Sequence, residues 1–115
     1  MSEDTLFAKI ASGEIPSDEV YSDEEYFAFR DINPQEPKHI LIIPRKPIPK
    51  ISDAKQEDRA LLGGLVLKAT EIARAEGLED DGYRLVINCG KYGGQEVYHL
   101  HLHILGGRQM NWPPG

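Results

Sequence analysis

Short apolar runs alternate along the chain with polar breaks marked by glycine and proline. Leu6, Phe7 and Ile10 recur at helical spacing, which predicts a short helix over Thr5 to Ala11 with Asp4 as its cap. Gly13 and Pro16 end that helix. Glu19 to Tyr21 predicts a brief strand and Tyr26 to Phe29 a firmer one, closed by the turn Asp31-Ile32-Asn33-Pro34. His39-Ile40-Leu41-Ile42-Ile43-Pro44 is β-branched and apolar at nearly every position, as a central strand requires, and Pro44 stops it. Pro47 and Pro49 keep the next segment irregular. One long helix is expected over Gln56 to Ala75, burying a stripe of Leu61, Leu62, Leu65, Val66, Ala69, Ile72 and Ala73. Gly63 and Gly64 interrupt it, each at a cost of about 1 kcal/mol against alanine. Such a pair marks a close approach, either of the helix to the sheet or of the helix to a twin. Gly77 is a natural C-terminal stop. Tyr83 to Asn88 predicts another strand, Gly90 to Gly94 a glycine-rich turn, and Val97 to Leu105 a last strand. The tail Asn111-Trp112-Pro113-Pro114-Gly115 cannot be helical. The pattern is that of an α+β protein, a mostly antiparallel sheet with one helix packed across it.

Composition narrows the function classes. The chain has 115 residues, which is one domain spanning 1–115. Its net charge of −6 argues against a nucleic-acid polymer as partner, because no basic surface would neutralise the phosphates. A small phosphorylated ligand needs only a local pocket and stays open. Cys89 is the one cysteine, so an internal disulfide is excluded. No apolar stretch reads as a signal peptide or membrane span, and the chain is expected to be cytoplasmic. A chain this short makes a shared dimer core plausible.

The candidate chemistry sits near the C-terminus, where His99, His101 and His103 alternate with Leu100 and Leu102. On a strand the three imidazoles share one face, with successive same-face residues about 6–7 Å apart. That spacing suits one imidazole attacking a phosphorus while another contacts a phosphoryl oxygen or the departing group. Histidine titrates near neutrality and can act as nucleophile or proton donor. A nucleophilic imidazole presents a bare nitrogen, so its other nitrogen needs an acceptor to hold the tautomer. Two other readings compete: three surface histidines, or a zinc site built from a His-x-His pair and the distant His39. The zinc reading lacks a carboxylate or cysteine at close ligand spacing.

The segment His99-Leu100-His101-Leu102-His103-Ile104-Leu105 resembles the signature of the HIT (histidine triad) superfamily, three histidines separated by apolar residues. Gly93-Gly94-Gln95-Glu96-Val97-Tyr98 before it and Gly106-Gly107-Arg108-Gln109-Met110 after it extend the likeness. So do Asp31-Ile32-Asn33-Pro34, the run from His39 to Pro44, and the ending Trp112-Pro113-Pro114-Gly115. The likeness is greatest to the Hint branch, the purine nucleoside phosphoramidases. It implies a homodimer in which each subunit gives a five-stranded antiparallel sheet, with one long and one short N-terminal helix, and the dimer a ten-stranded one. It also implies hydrolysis of purine nucleoside phosphoramidates such as AMP-lysine and AMP-morpholidate, and of some aminoacyl-adenylates, with no metal and no cofactor.

The resemblance assigns roles residue by residue. It makes His101 the nucleophile that forms a nucleotidyl-histidine, with the His99 carbonyl as acceptor for its second nitrogen. His99 and His39 are expected to pack as a polar pair behind it, and His103 to bind phosphate and help the leaving group depart. Asn88, Gly94 and Gln95 are expected near the phosphate and leaving group, next to Glu96 and Val97. Asp31 corresponds to the carboxylate that accepts the ribose hydroxyls. Leu6, Phe7, Ile10, Phe29, Ile32 and Leu41 fit the apolar walls around a purine, which admits AMP and GMP conjugates alike. Trp112 is expected to reach the active site of the partner subunit. Arg108 takes no assignment. Glu96 stands where many animal relatives carry serine; a carboxylate there disfavours phosphate and welcomes a cationic leaving amine. A nucleotide-binding regulatory or scaffolding protein with incidental turnover, and a zinc-dependent hydrolase, remain the alternatives.

Overall fold

The computed structural model describes residues 5–115; Asp4, the expected cap of the first helix, lies outside the described residues. Helix α1 runs Leu6–Ala11, and Thr5 caps it: its hydroxyl accepts the Ala8 N–H at 3.1 Å. A helix this short offers the sheet one narrow edge. Phe7 and Ile10 take it, while Leu6, expected on the same face, is 49% exposed.

Five strands follow: β1 Glu19–Ser22, β2 Tyr26–Arg30, β3 Lys38–Pro44, β4 Tyr83–Val86 and β5 Leu102–Gly106. They form one sheet in the order β1-β2-β3-β5-β4, and every pairing is antiparallel. This is the expected five-stranded α+β arrangement, with β3 at its centre. The parity of β3 divides the core. Ile40 and Ile42 pack on one side with Tyr26, Ala28, Leu102 and Ile104. Leu41 and Ile43 pack on the other with Phe7, Ile10, Phe27 and Phe29. A strand buried on both faces reads as an unbroken apolar run, and each such side chain contributes about 1.5–3 kcal/mol by burial.

Helix α2, Arg59–Ala75, covers the first of these faces. It begins later than the expected Gln56, because Gln56–Asp58 forms a 3₁₀ turn in which the Asp58 carboxylate accepts the Lys55 N–H. Leu65, Ala69, Ile72 and Ala73 are buried, and Leu61 and Leu62 pack against them, but Val66 is turned outward at 42% exposure. The two helix glycines differ. A Cβ on Gly64 would lie 2.2 Å from the Tyr26 hydroxyl oxygen. That hydroxyl donates to the Leu61 carbonyl at 2.7 Å, so here the close approach is to the sheet. Gly63 meets nothing within 4 Å. It lies on the outer side with Val66 and with Leu67, which is 64% exposed. No helix among the described residues is long and apolar enough to cross a membrane.

Candidate active site

The expected strand from Val97 to Leu105 forms only from Leu102 onward. Its ladder with β3 ends at the Ile42–Leu102 pair. Beyond that point the backbone turns to other partners. The Leu100 N–H donates to the Ile48 carbonyl at 2.7 Å, and the Pro44 carbonyl pairs with the His99 ring, not with a backbone amide, at 2.8 Å. The side chains nevertheless keep strand alternation. Leu100 and Leu102 enter the core under α2, while His99 meets Thr5 and His101 meets Phe7 on the side of α1.

The ring of His101 is oriented by its own chain. Its Nδ1 lies 2.7 Å from the His99 carbonyl oxygen. A carbonyl only accepts, so the proton is on Nδ1 and the Nε2 lone pair is bare. Phe7 packs its ring edge against the imidazole at 4.9 Å and 90°. The His101 Nε2 has no partner among the described residues, where no buried side-chain nitrogen or oxygen is left unpaired. That nitrogen therefore opens toward solvent.

His39 pairs with His103, not with His99 as expected. The cause is register: His39 faces Leu105 and Leu41 faces His103, so His39 and His103 are diagonal neighbours on one face. The backbone N–H of Gln35 donates to His39 Nδ1 at 3.0 Å. An amide nitrogen only donates, so the His39 proton is on Nε2, which lies 2.9 Å from His103 Nδ1. His103 Nδ1 therefore accepts, and its proton sits on the outward Nε2. The Asp31 carboxylate lies 3.4 Å from the same His39 nitrogen. Two adjacent rings, 5.0 Å apart between centroids, thus present opposite faces of imidazole chemistry: a lone pair on His101 and an N–H on His103.

Burial disfavours the charged form of all four rings. His103 is pushed down to about 4 by burial, with His101 and His39 adding to it and Asp31 opposing. Burial also lowers His101, against the His99 carbonyl, which favours its charged form. The same cause lowers His99, against the Pro44 carbonyl, and His39, against Asp31 and Glu36.

Other expected site residues divide into groups. Phe7, Phe29 and Leu41 are buried together, with Val97 packed on them. Asp31 joins His39 and His103, and its other oxygen accepts the Asn33 N–H at 2.9 Å. Asn88 donates to the Gly93 carbonyl at 2.7 Å and so ties the glycine turn to the end of β4; Gly94 sits in that turn at φ +82, which an L side chain rarely adopts. Gln95 is buried, with its amide committed to the Pro49 and Val97 carbonyls and to the Gly90 N–H. It braces the loop. Glu96 is exposed, Ile32 is fully exposed, and Trp112 is 81% exposed, with Arg84 over its ring. Ile32 and Trp112 therefore stand outside the buried cluster. Arg108 is bound to Glu36 in a bidentate ion pair. A cleft of about 420 Å³ lies on the open half of the sheet, lined by Val86, Asn88, Leu105 and the tail; Val86 is the direct neighbour of His103. Thr5 and the Gln35 amide were not foreseen, and no pattern in the sequence singles them out.

Asp31, His39 and His103 are the one group of three metal-capable residues among the described residues. They do not fit a zinc ion as they stand. Two imidazoles on one tetrahedral zinc place their nitrogens about 3.3 Å apart, both bare, whereas these lie 2.9 Å apart across a shared proton. Cys89, the remaining soft ligand, sits beside Ser52.

A family model described as HIT domain matches residues 12–110. The chain is 53% identical over 110 residues to a purine nucleoside phosphoramidase of Escherichia coli, covering 96% of this chain and 92% of that one. It is 58% identical over 113 residues to a 14 kDa zinc-binding protein of Zea mays, covering 96% and 88%. Among solved structures, a HIT family hydrolase from Legionella pneumophila superposes with a TM-score of 0.95 at 56% identity, covering 97% of this chain and all of that one.

Proposed function

The chain belongs to the HIT domain family, and on that footing we propose that it is a purine nucleoside phosphoramidase working through a covalent intermediate on His101. The reading rests above all on the bare Nε2 of His101, fixed by the hydrogen bond of Nδ1 to the His99 carbonyl at 2.7 Å. The kinship to the Escherichia coli phosphoramidase supports it.

In the first displacement His101 Nε2 bonds to the α-phosphorus as the P–N bond breaks. The electron pair leaves on nitrogen, which gains a proton and departs as an amine. The His103 Nε2–H, on the ring beside that of His101, donates a hydrogen bond to a phosphoryl oxygen, and the departing nitrogen takes its proton from water. A donor aimed at the charge that develops on the phosphoryl oxygens is worth about 10²–10³-fold. In the second displacement water attacks phosphorus, loses a proton, and the P–Nε2 bond breaks. AMP leaves and the bare imidazole returns. His39 acts on His103 through Nδ1 and is a positioning residue. Asp31 takes the ribose hydroxyls, and Phe7, Phe29 and Leu41 form the floor beneath a purine, adenine or guanine. Ile32, Val97 and Trp112 complete the rim, with Gly94 and Asn88 shaping the phosphate loop. Glu96 stands at its edge, toward the leaving amine.

The enzyme works as a cytoplasmic homodimer. The edge strand β4 and the outward stripe of Gly63, Val66 and Leu67 on α2 are the surfaces that support this. A ten-stranded sheet would follow from joining two such edges, and Trp112 would reach the partner's site.

Rapid-quench mass spectrometry of the intact protein with AMP-lysine tests the chemistry. The wild type should carry one adenylyl group, and His101→Ala should carry none and turn over negligibly. Turnover by the wild type with no adduct at any time, or undiminished turnover by the variant, would overturn the reading. Light scattering tests the assembly: the expected mass is twice 12.9 kDa.

A further inference from the structure

We propose that Thr5 is a positioning residue for the nucleophile, acting through His99. The inference rests on the reading of His101 as the attacking group and adds a residue to it. His99 is 1% exposed, with both ring nitrogens engaged. Its Nε2 lies 2.8 Å from the Pro44 carbonyl and must carry the proton. Its Nδ1 is therefore bare and lies 3.2 Å from the Thr5 hydroxyl, which is the donor. The same hydroxyl oxygen accepts the Ala8 N–H at 3.1 Å. One side chain thus closes the first turn of α1 and holds a buried imidazole in a single tautomer.

What His99 supplies to the nucleophile is its carbonyl, the acceptor for His101 Nδ1–H. The segment from 99 to 101 lies outside the β3–β5 ladder. Its position depends on the Ile48 carbonyl and on the two ring bonds of His99. Losing the Thr5 hydroxyl leaves a buried acceptor unpaired, which the ring can relieve only by moving or by taking up a proton. Either response shifts the carbonyl that fixes His101. Phe7, two residues along, presses on the His101 ring, so α1 holds both histidines in place.

Three substitutions separate this role from helix capping. Thr5→Val keeps the branched shape and removes the hydroxyl. Thr5→Ser keeps the hydroxyl. Thr5→Asp caps the helix but has no proton to give, so His99 must take one at Nδ1. With AMP-lysine, Thr5→Val and Thr5→Asp should each lower kcat about tenfold, the scale of one lost buried hydrogen bond, with KM within about twofold. Thr5→Ser should stay within about twofold of wild type. Long-range ¹H–¹⁵N spectra of the free protein should show His99 as the Nε2–H tautomer in wild type and Thr5→Ser, and as doubly protonated in Thr5→Asp. Wild-type kcat in Thr5→Asp, or a wild-type His99 that carries its proton on Nδ1, would overturn the proposal. The spectra need no substrate, so they judge Thr5 even if no adduct ever forms on His101.

Discussion

Replacing His39 by phenylalanine tests the division of labour among the histidines. The phenyl ring fills nearly the same space beside His103, whose centroid lies 5.1 Å away, but it cannot donate to His103 Nδ1. A neutral hydrogen bond contributes about 0.5–1.5 kcal/mol, which biases a two-tautomer equilibrium about 2- to 13-fold. The fraction of His103 bearing its proton on Nε2 would then fall from about 0.7–0.9 to about 0.5. That is a loss of less than about twofold from population alone, and loosening of the ring should keep the total fall in kcat under about tenfold. Removal of a donor aimed at the phosphoryl charge costs about 10²–10³-fold, so His103→Ala should fall well below His39→Phe. Steady-state kinetics on AMP-lysine give the ranking, and ¹⁵N spectra give the His103 tautomer directly. A loss in His39→Phe as deep as that in His101→Ala would make His39 a participant in the chemistry. A wild-type His103 with its proton on Nδ1 would break the relay from the Gln35 amide altogether.

Stability should fall as pH drops from about 6.5 to 4. His39, His99, His101 and His103 all titrate below their ordinary value in the fold, so the unfolded chain binds more protons in that window and their contribution, complete above about 6.5, is lost on acidification. His103 alone, moving from 6.5 to about 4, is worth on the order of 3 kcal/mol; thermal melts of the wild type and His103→Asn should differ in their pH slope, and equal slopes would refute the assignment. Gly64→Ala should destabilise by about 1–3 kcal/mol through collision with Tyr26, whereas Gly63→Ala should leave the subunit fold intact or firmer and weaken self-association, read by denaturation and light scattering. Glu96→Gln should reduce the preference for a cationic over a neutral leaving amine by about two- to fivefold, the scale of one exposed ion pair; an unchanged kcat/KM ratio would remove Glu96 from substrate choice.

What could be read in the sequence, and what could not, follows from the range of the interactions. The unbroken run from Ile40 to Ile43 marked β3 as central, because only a strand buried on both faces tolerates apolar residues at both parities. The alternation of histidine and leucine put the three imidazoles on one side, and they are there. Parity, however, sets register only modulo two residues. His39 and all three triad histidines share a face, so sliding β3 against β5 by two would have brought His39 to a different ring with every leucine still buried. The choice of His103 is made by the Ile42–Leu102 end of the ladder, and that end is set by a proline carbonyl that takes an imidazole in place of a strand amide. The early end of the strand and the partner of His39 are thus one fact, created by contacts between residues more than fifty positions apart. The same holds for Gln95: a glutamine beside a glycine turn reads as a ligand for phosphate, and only the folded loop reveals that the Gly90 amide and the Pro49 and Val97 carbonyls already use both ends of it. Chemistry-bearing residue types were legible because their spacing is local. The tautomers that decide which nitrogen attacks and which donates were not, because each is dictated by a backbone group whose place is known only once the sheet has closed.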